Sequence, residues 1–267
     1  MWKIKEALGN TFIGHYYLLL KEYRSRDREI DLLSILCRPR SKTIDVGAAQ
    51  GFYTHFILKN STHCHAFEAN PERASRLKKI FSSKKVTVYH SALSNKEGMV
   101  SLRIPIIGGK AFYGRGTIET DNSFDAKKMI TYELNMEILD KLFLNDIGFM
   151  KIDVEGHELA VLEGADDLSS ECKPNLLIEA EDRHRKHAVS SIDNFLSLKG
   201  YRGFFILDNK LISIKEFNTA IHQSKNGLDD SGSEYYVNNF IFTCDDSVES
   251  KLKSFFKKKS YFSRVFH

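Results

Sequence analysis

Lys42-Thr43-Ile44-Asp45-Val46-Gly47-Ala48-Ala49-Gln50-Gly51-Phe52-Tyr53-Thr54 runs from an apolar strand through two glycines four residues apart and on into helical sequence. A strand that ends in a glycine turn lets a ligand approach the backbone closely, and the helix behind it points its free N–H groups at that ligand. The spacing bears on which ligand. A dinucleotide fingerprint, Gly-x-Gly-x-x-Gly, clears room for a pyrophosphate with its second glycine, but here Ala48, Ala49 and Gln50 separate Gly47 from Gly51. Asp45, just before the turn, would repel a phosphate and suits a ligand with a cationic amine or sulfonium. The bland alternative is a glycine turn that does no more than join a buried strand to a helix.

The pattern Asp-x-Gly-x-x-x-Gly resembles the first motif of S-adenosylmethionine-dependent methyltransferases. A second element supports a ligand site. Cys64-His65-Ala66-Phe67-Glu68 reads as another short buried strand, and Glu68 closes it 23 residues after Asp45. An acidic residue at about that distance grips a ribose diol in nucleotide-binding α/β folds.

The 267 residues are enough for one substantial core, and no linker divides them, so a single domain spanning 1–267 is expected. With 42% hydrophobic and 12% aromatic residues the composition is far from disordered. No apolar run approaches the roughly 18 to 20 residues of a membrane helix. Met1-Trp2-Lys3-Ile4-Lys5-Glu6 lacks the apolar core of a signal peptide, which predicts a cytoplasmic protein. Cys37, Cys64, Cys172 and Cys244 form no Cys-x-x-Cys pair, which argues against a zinc knuckle or a disulfide framework and for buried thiols. The net charge of +4 is concentrated in residues 251–267, which hold six Lys or Arg and no acid, while residues 1–250 carry 33 basic and 35 acidic side chains. Such a body lacks the broad positive face that nucleic acid requires.

Residues 1–40 show helical periodicity, with Ile30, Leu32, Leu33, Ile35 and Leu36 as a core-facing stripe that ends before Pro39. The catalytic core is expected over 41–245. Strand 43–46, helix 51–59, strand 64–68, helix 71–82 and strand 86–90 alternate, which predicts a parallel sheet covered by helices with a crevice at the strand ends. Val100 to Pro105 reads as a strand. Residues 106–136, containing Gly108-Gly109 and Gly114-Arg115-Gly116, show no sustained period, and a loop this long suggests an acceptor lid. Further strands are expected at 148–153, 175–179, 203–207 and 235–243. Between them lie a helix through Leu159 and Leu162 capped by Gly164 and a helix over 189–199.

With Ile44-Asp45-Val46-Gly47-Ala48, Phe67-Glu68-Ala69-Asn70-Pro71, Ala92-Leu93-Ser94 and Lys151-Ile152-Asp153-Val154-Glu155-Gly156-His157-Glu158 in view, the chain closely resembles the FkbM family of methyltransferases over residues 40–182. The most specific part is Lys-Ile-Asp-Val-Glu-Gly-x-Glu followed by Val161-Leu162-x-Gly164-Ala165. The resemblance implies an α/β, Rossmann-like doubly wound sheet of seven strands, mostly parallel with an antiparallel last strand. It also implies S-adenosylmethionine as donor and transfer to a hydroxyl of a sugar, glycan or secondary metabolite. The cofactor site expected from the motifs comprises Asp45, Gly47, Ala48, Gly51, Tyr53, Thr54, Glu68, Ala69, Asn70, Ala92 and Asp153. Ala49 stands where the family usually has Asn, and Gly114-Arg115-Gly116-Thr117 matches its Gly-x-x-Ser stretch only loosely.

Transfer to an alcohol needs a group to take the proton, and the candidates are His157, Asp153, Glu155 and Glu179, at or just past strand ends that should face the crevice. Histidine is the side-chain type whose ordinary pKa lies in the useful range. The alternative makes His157 a solvent residue of the next helix's first turn, with Asp153 and Glu155 complementing that helix's positive end. Lys151 is expected to pair with one of these carboxylates. A divalent metal on Asp153, Glu155 and Glu179 is chemically allowed though not favoured. Three function classes therefore stand side by side: an O-methyltransferase, a catalytically inactive S-adenosylmethionine-binding scaffold, and a metal-dependent hydrolase. In the tail, 246–267, Leu252, Phe255, Phe256, Phe262, Val265 and Phe266 share a helical face among basic residues. That pattern suits a weak peripheral contact of residues 251–267 with the inner face of a membrane, or a helix docked on the body.

Overall fold

In a computed structural model, which describes residues 28–82, 85–113, 116–119, 128–224 and 236–265, the chain enters through a 3-10 turn at Arg28–Leu32 and α1 (Leu33–Leu36). It then alternates β1 (Lys42–Val46), α2 (Phe52–Ile57), β2 (His63–Phe67), α3 (Pro71–Ile80) and β3 (Val86–Tyr89). Four strands follow, β4 (Ala92–Leu93), β5 (Gly98–Ile107), β6 (Lys110–Ala111) and β7 (Lys128–Glu137). The second half holds β8 (Ile147–Ile152), α4 (Glu158–Glu163), α5 (Asp166–Glu171), β9 (Asn175–Glu179) and α6 (Ala188–Ser197). It closes with β10 (Arg202–Leu207), β11 (Lys210–Ser213), α7 (Thr219–His222), β12 (Asn239–Thr243) and α8 (Asp246–Val265).

The main sheet has the order β11-β10-β12-β9-β8-β1-β2-β3. Strand β1 is parallel to both β2 and β8, and β2–β3 and β8–β9 are parallel too. The last strand, β12, runs antiparallel between β9 and β10, as the doubly wound reading expects. The β10–β11 hairpin adds an eighth strand to the seven expected. The chain winds outward in one direction from β1 and in the other from β8, so the crevice opens over the carboxyl ends of these two strands.

Strands covered on both faces read as apolar runs. Ile44, Val46, Met150, Ile152 and Ile178 pack one face against Val161, Leu162, Val189 and Ile192. Cys64, Phe149, Leu177 and Ile241 pack the other against Leu33, Leu36, Tyr53, Ile57 and Leu252.

Residues 106–136 differ from the expected loop. Strand β7 pairs antiparallel with β5 along its length, Val100 opposite Leu134 and Ile104 opposite Ile130, within a second sheet of order β4-β7-β5-β6. Ile130, Tyr132, Leu134 and Met136 alternate inward with exposed Thr131, Glu133 and Asn135, a period of two that the polar outer face obscures. Residues 114–115 and 120–127 of the expected lid lie outside the described residues.

Gly164 closes α4 as expected but in right-handed conformation, φ −78. The position needs glycine because a Cβ there would overlap the backbone carbonyl of Ser94. The tail forms α8, and Val248, Leu252 and Phe256 are buried in the core beside α1. The face proposed for a membrane is therefore docked on the body as far as Phe256. The side chains of Phe262, Val265 and Phe266 lie outside the described residues, as do residues 1–27 of the lead-in. No helix among the described residues is long and apolar enough to cross a membrane.

Candidate active site

The turn after β1 is built by backbone. Gly47 has φ +79, and its N–H and that of Ala48 both donate to the Phe67 carbonyl at 3.0 Å. Ala49 also sits in the left-handed region, φ +50, a conformation in which Asn is more at home than Ala. Gly51 caps α2, and a Cβ on it would come within 2.6 Å of the Phe81 ring.

Asp45 lies beneath the turn and not on the cavity wall. It is buried, its Oδ2 accepts from the Thr54 hydroxyl at 2.5 Å, and Tyr53 and Thr54 are buried with it under the turn. The cation beside it belongs to the protein. Lys151 is 2% exposed, with its ammonium 2.9 Å from Asp153 Oδ2 and 4.4 Å from the Tyr53 ring centroid. Burial works against that charge, but Asp153, Glu179 and Asp45 together hold the Lys151 pKa above the ordinary lysine value. Burial raises the Asp45 carboxyl above its usual range, against the pull of Lys151 and Thr54.

An open cavity lies over the strand ends. Of the residues expected to hold a cofactor, Gly47, Glu68, Ala69, Asn70, Ala92 and Asp153 line it, while Asp45, Ala48, Gly51, Tyr53 and Thr54 support the turn from beneath. The Glu68 carboxylate accepts from the backbone N–H of Ala49 and of Asn70, both at 2.7 Å, one on each oxygen. Each oxygen keeps further lone pairs for a ligand hydroxyl. Burial raises the Glu68 pKa, opposed by Arg73 and by the two N–H groups. Asn70 caps α3 with Oδ1, which accepts from the N–H of Glu72 and Arg73, and this leaves Nδ2 as a buried donor with no partner on the cavity wall.

His157 lines the same cavity. Its Nδ1 is 2.5 Å from Glu119 Oε1 and its Nε2 is 2.9 Å from Ser94 Oγ. The hydrogen bond from His157 is the main reason the Glu119 carboxyl lies below its ordinary range. Thr117, also on the wall, donates from its hydroxyl to the Glu155 carbonyl at 3.0 Å and so ties the second sheet to the loop after β8. Ser94 is buried and is not part of the wall, so it does not present a nucleophile to a ligand.

A family model described as a methyltransferase FkbM domain matches residues 45–202. The chain belongs to the FkbM methyltransferase family. Among solved structures it is similar to the methyltransferase FkbM from Methylobacillus flagellatus KT, with 16% identity and a TM-score of 0.48, over 76% of this chain and 43% of that longer one. It is similar also to an rRNA methylase from Streptococcus thermophilus (11% identity, TM-score 0.42, 80% of this chain and 91% of the other). A third likeness is to M. capricolum TrmK in complex with S-adenosyl-homocysteine (10% identity, TM-score 0.40, 82% and 67%). No curated protein matches the chain.

The acidic cluster sits in a second, smaller cavity lined by Asp153, Glu155, Glu158, Glu179, Glu181 and His184. Glu179 lines this cavity and not the larger one. Among the described residues no three His, Cys, Asp or Glu are arranged to hold a metal ion. Protein groups lie against these carboxylates: Lys151 is on Asp153, the His184 Nε2 is at ion-pair distance from Glu155, 2.9 Å, without hydrogen-bond alignment, and Asn238 donates to Glu179 at 2.8 Å. Burial opposes the His184 charge, but Glu155 and Glu181 raise its pKa to about 9, so an imidazolium fills the cluster. Glu158, 2% exposed, accepts from the Gly156 N–H at 2.8 Å, and burial pushes its pKa up to about 7.

Sequence reading missed Glu119, Ser94, His184, Glu158 and Glu181. Glu158 and Ser94 both stood in quoted motifs, which was the signal that could have found them. The others come from segments remote in sequence that the fold brings together.

Proposed function

We propose that this FkbM methyltransferase moves a methyl group from S-adenosylmethionine to a hydroxyl of a sugar, glycan or secondary metabolite. The observation that carries the reading is one cavity over the strand ends, lined on one side by Gly47, Glu68 and Asn70 and on another by His157 and the second sheet. The donor fits the first set. Glu68 offers acceptor lone pairs to ribose hydroxyls, the unpartnered Nδ2 of Asn70 offers a donor, and the bare Gly47 backbone allows close approach. When bound, S-adenosylmethionine supplies an electrophilic methyl group on sulfur.

His157, on the cavity wall and hydrogen-bonded to Glu119, is the group that takes the acceptor proton in this reading. An alcohol resembles water in acidity, so a positioned base contributes about 10² to 10⁴-fold, on top of the larger effect of alignment. Leu102, Ile104, Tyr113, Thr117 and Ile118 form the acceptor wall, the role first expected of a loop lid. The acidic balance of residues 1–250 favours a small molecule or glycan over nucleic acid and an uncharged sugar over a phosphate-rich one.

The hydrolase alternative loses support because the acidic cluster is filled by Lys151 and His184. The scaffold alternative is separated by experiment. Labelled S-adenosylmethionine is incubated with the protein and a panel of sugars and lipid-linked glycans; transfer of label to one of them is expected. Donor binding by calorimetry with no transfer to any hydroxyl overturns the enzyme reading in favour of the scaffold.

A further inference from the structure

Glu158 carries an acceptor that the protein leaves unused. The side chain is 2% exposed, its Oε1 accepts from the Gly156 N–H at 2.8 Å, and its Oε2 is buried with no hydrogen-bond partner among the described residues. Its neighbours on the wall of the smaller cavity are matched by protein cations: Asp153 by Lys151, and Glu155 and Glu181 by His184 and Arg183. Beside His184 the cavity keeps space for about one water-sized group. A buried acceptor left bare is costly, and the cost is recovered when a donor arrives.

The wall selects that donor. Ionised carboxylates only accept, so the occupant has to bring the hydrogens. A hydroxyl brings one and no charge, whereas a primary ammonium brings three on a centre the size of water, with the charge that Glu158 lacks opposite it. A metal ion needs several oxygens at once, and no such arrangement exists among the described residues. Position assigns the source. Asp153 and Glu155, just past β8, line this chamber and the main cavity alike, and Glu179 ends β9. In the order β9-β8-β1-β2, β9 lies three strand spacings, roughly 14 Å, from the strand that presents Glu68. We propose that this chamber is a subsite for a primary ammonium group of the acceptor, so that the molecule methylated carries an amine as well as its hydroxyl. Glu158 Oε2 accepts from the ammonium, and the hydroxyl stays in the main cavity. Glu158 is then a specificity-determining residue and takes no part in the transfer itself. This rests on the methyltransferase reading above and names a substrate class for it.

Methylammonium chloride is the probe, titrated calorimetrically into the full chain without donor or acceptor. Binding with a Kd on the order of 1 to 10 mM is expected. Burial pushes the Glu158 pKa up to about 7, so below pH 7 the arriving cation is expected to release a proton, read from the dependence of the heat on buffer. Glu158→Gln, which keeps an acceptor for Gly156, is expected to weaken binding by roughly ten- to 150-fold and to abolish the proton release. Tetramethylammonium, bulkier and without an N–H, is expected not to bind, and this contrast tests the wild type even where the variant fails to fold. No methylammonium binding, binding unchanged in Glu158→Gln, or equal binding of tetramethylammonium overturns the proposal. So does competition by S-adenosyl-homocysteine, which would assign the chamber to the amine of the donor. Among acceptors that take label, equal kcat/KM for a free amine and its N-acetylated counterpart also overturns it. Absence of transfer to any acceptor instead overturns the methyltransferase reading, while the methylammonium titration still tests the subsite by itself.

Discussion

The α-carbon of Gly47 and the carbonyl oxygen of Asp153 face each other with no room for a side chain between them. The turn after β1 and the chain leaving β8 therefore meet backbone to backbone, next to the Asp153 N–H that donates to Val46 at 3.0 Å. Gly47→Ala must place a Cβ into that contact while holding φ +79. The strained dihedral costs about 1 to 2 kcal/mol and the overlap about 1 to 3 more. Chemical denaturation is expected to show a loss of that size, and a variant of unchanged midpoint would mean that the two segments separate freely.

Glu68→Ala is expected to weaken S-adenosylmethionine binding by roughly ten- to 150-fold, the worth of hydrogen bonds to a charged group. It also leaves the N–H groups of Ala49 and Asn70 without their acceptor. Calorimetric titration measures the first effect and thermal unfolding without ligand the second. Wild-type affinity in the variant removes Glu68 from the donor site.

His157→Ala is expected to cut turnover by about 10² to 10⁴-fold while donor affinity stays within error, because a proton acceptor acts in the transition state. Steady-state kinetics beside calorimetry checks both. Collapse of turnover in Asp153→Asn with His157→Ala fully active would move the base to Asp153.

Stability should fall as pH rises. Glu158, raised to about 7, favours the protonated folded state, so its contribution is present below the ordinary carboxylate pKa and is lost as pH rises through 7. His184, raised to about 9 by Glu155 and Glu181 against the effect of burial, contributes stability that is full below the ordinary histidine pKa and is lost through 9. Glu181 acts in the opposite sense at low pH. Burial opposes its ionisation, but His184, Arg183 and Tyr236 hold it at about 2, so its contribution is lost only as pH falls toward that value. Melting temperatures from pH 5 to 9.5 are expected to decline. Glu158→Gln, which keeps an acceptor for Gly156, should flatten the limb below 7 and leave the upper limb in place. Curves that run parallel would show that Glu158 does not titrate in this window.

Leu252→Ala tests the docking of α8. The side chain is fully buried beside Leu33 and Leu36, and truncation of a buried leucine costs about 2 to 5 kcal/mol. An unchanged urea midpoint would show that the helix leaves the body, and would restore the membrane-facing reading of its apolar face.

The motif strands and turns were legible before any fold was known, because they are local. An apolar run is a buried strand, glycine spaced four apart is a turn that opens a helix, and an acid at the end of the next strand faces the same crevice. That was enough to expect the doubly wound sheet and to put Glu68 and His157 beside one crevice, and both line the cavity. The antiparallel last strand was what the family resemblance implied. Strand β7 was less legible, since only one of its faces is apolar and its partner β5 lies across a long insertion. What the sequence could not decide was which charge meets which. Asp45 suited a ligand's cation on local grounds, yet the sheet sets Lys151 on the neighbouring strand β8 beside it. The acidic residues allowed a metal, yet Lys151 sits on Asp153, a pairing the sequence led one to expect, and His184 comes from a later loop to lie against Glu155. Glu119 reaches His157 across 38 residues and Ser94 reaches it across 63. Charges and hydrogen bonds are satisfied by proximity in space, and only the tertiary structure sets that proximity.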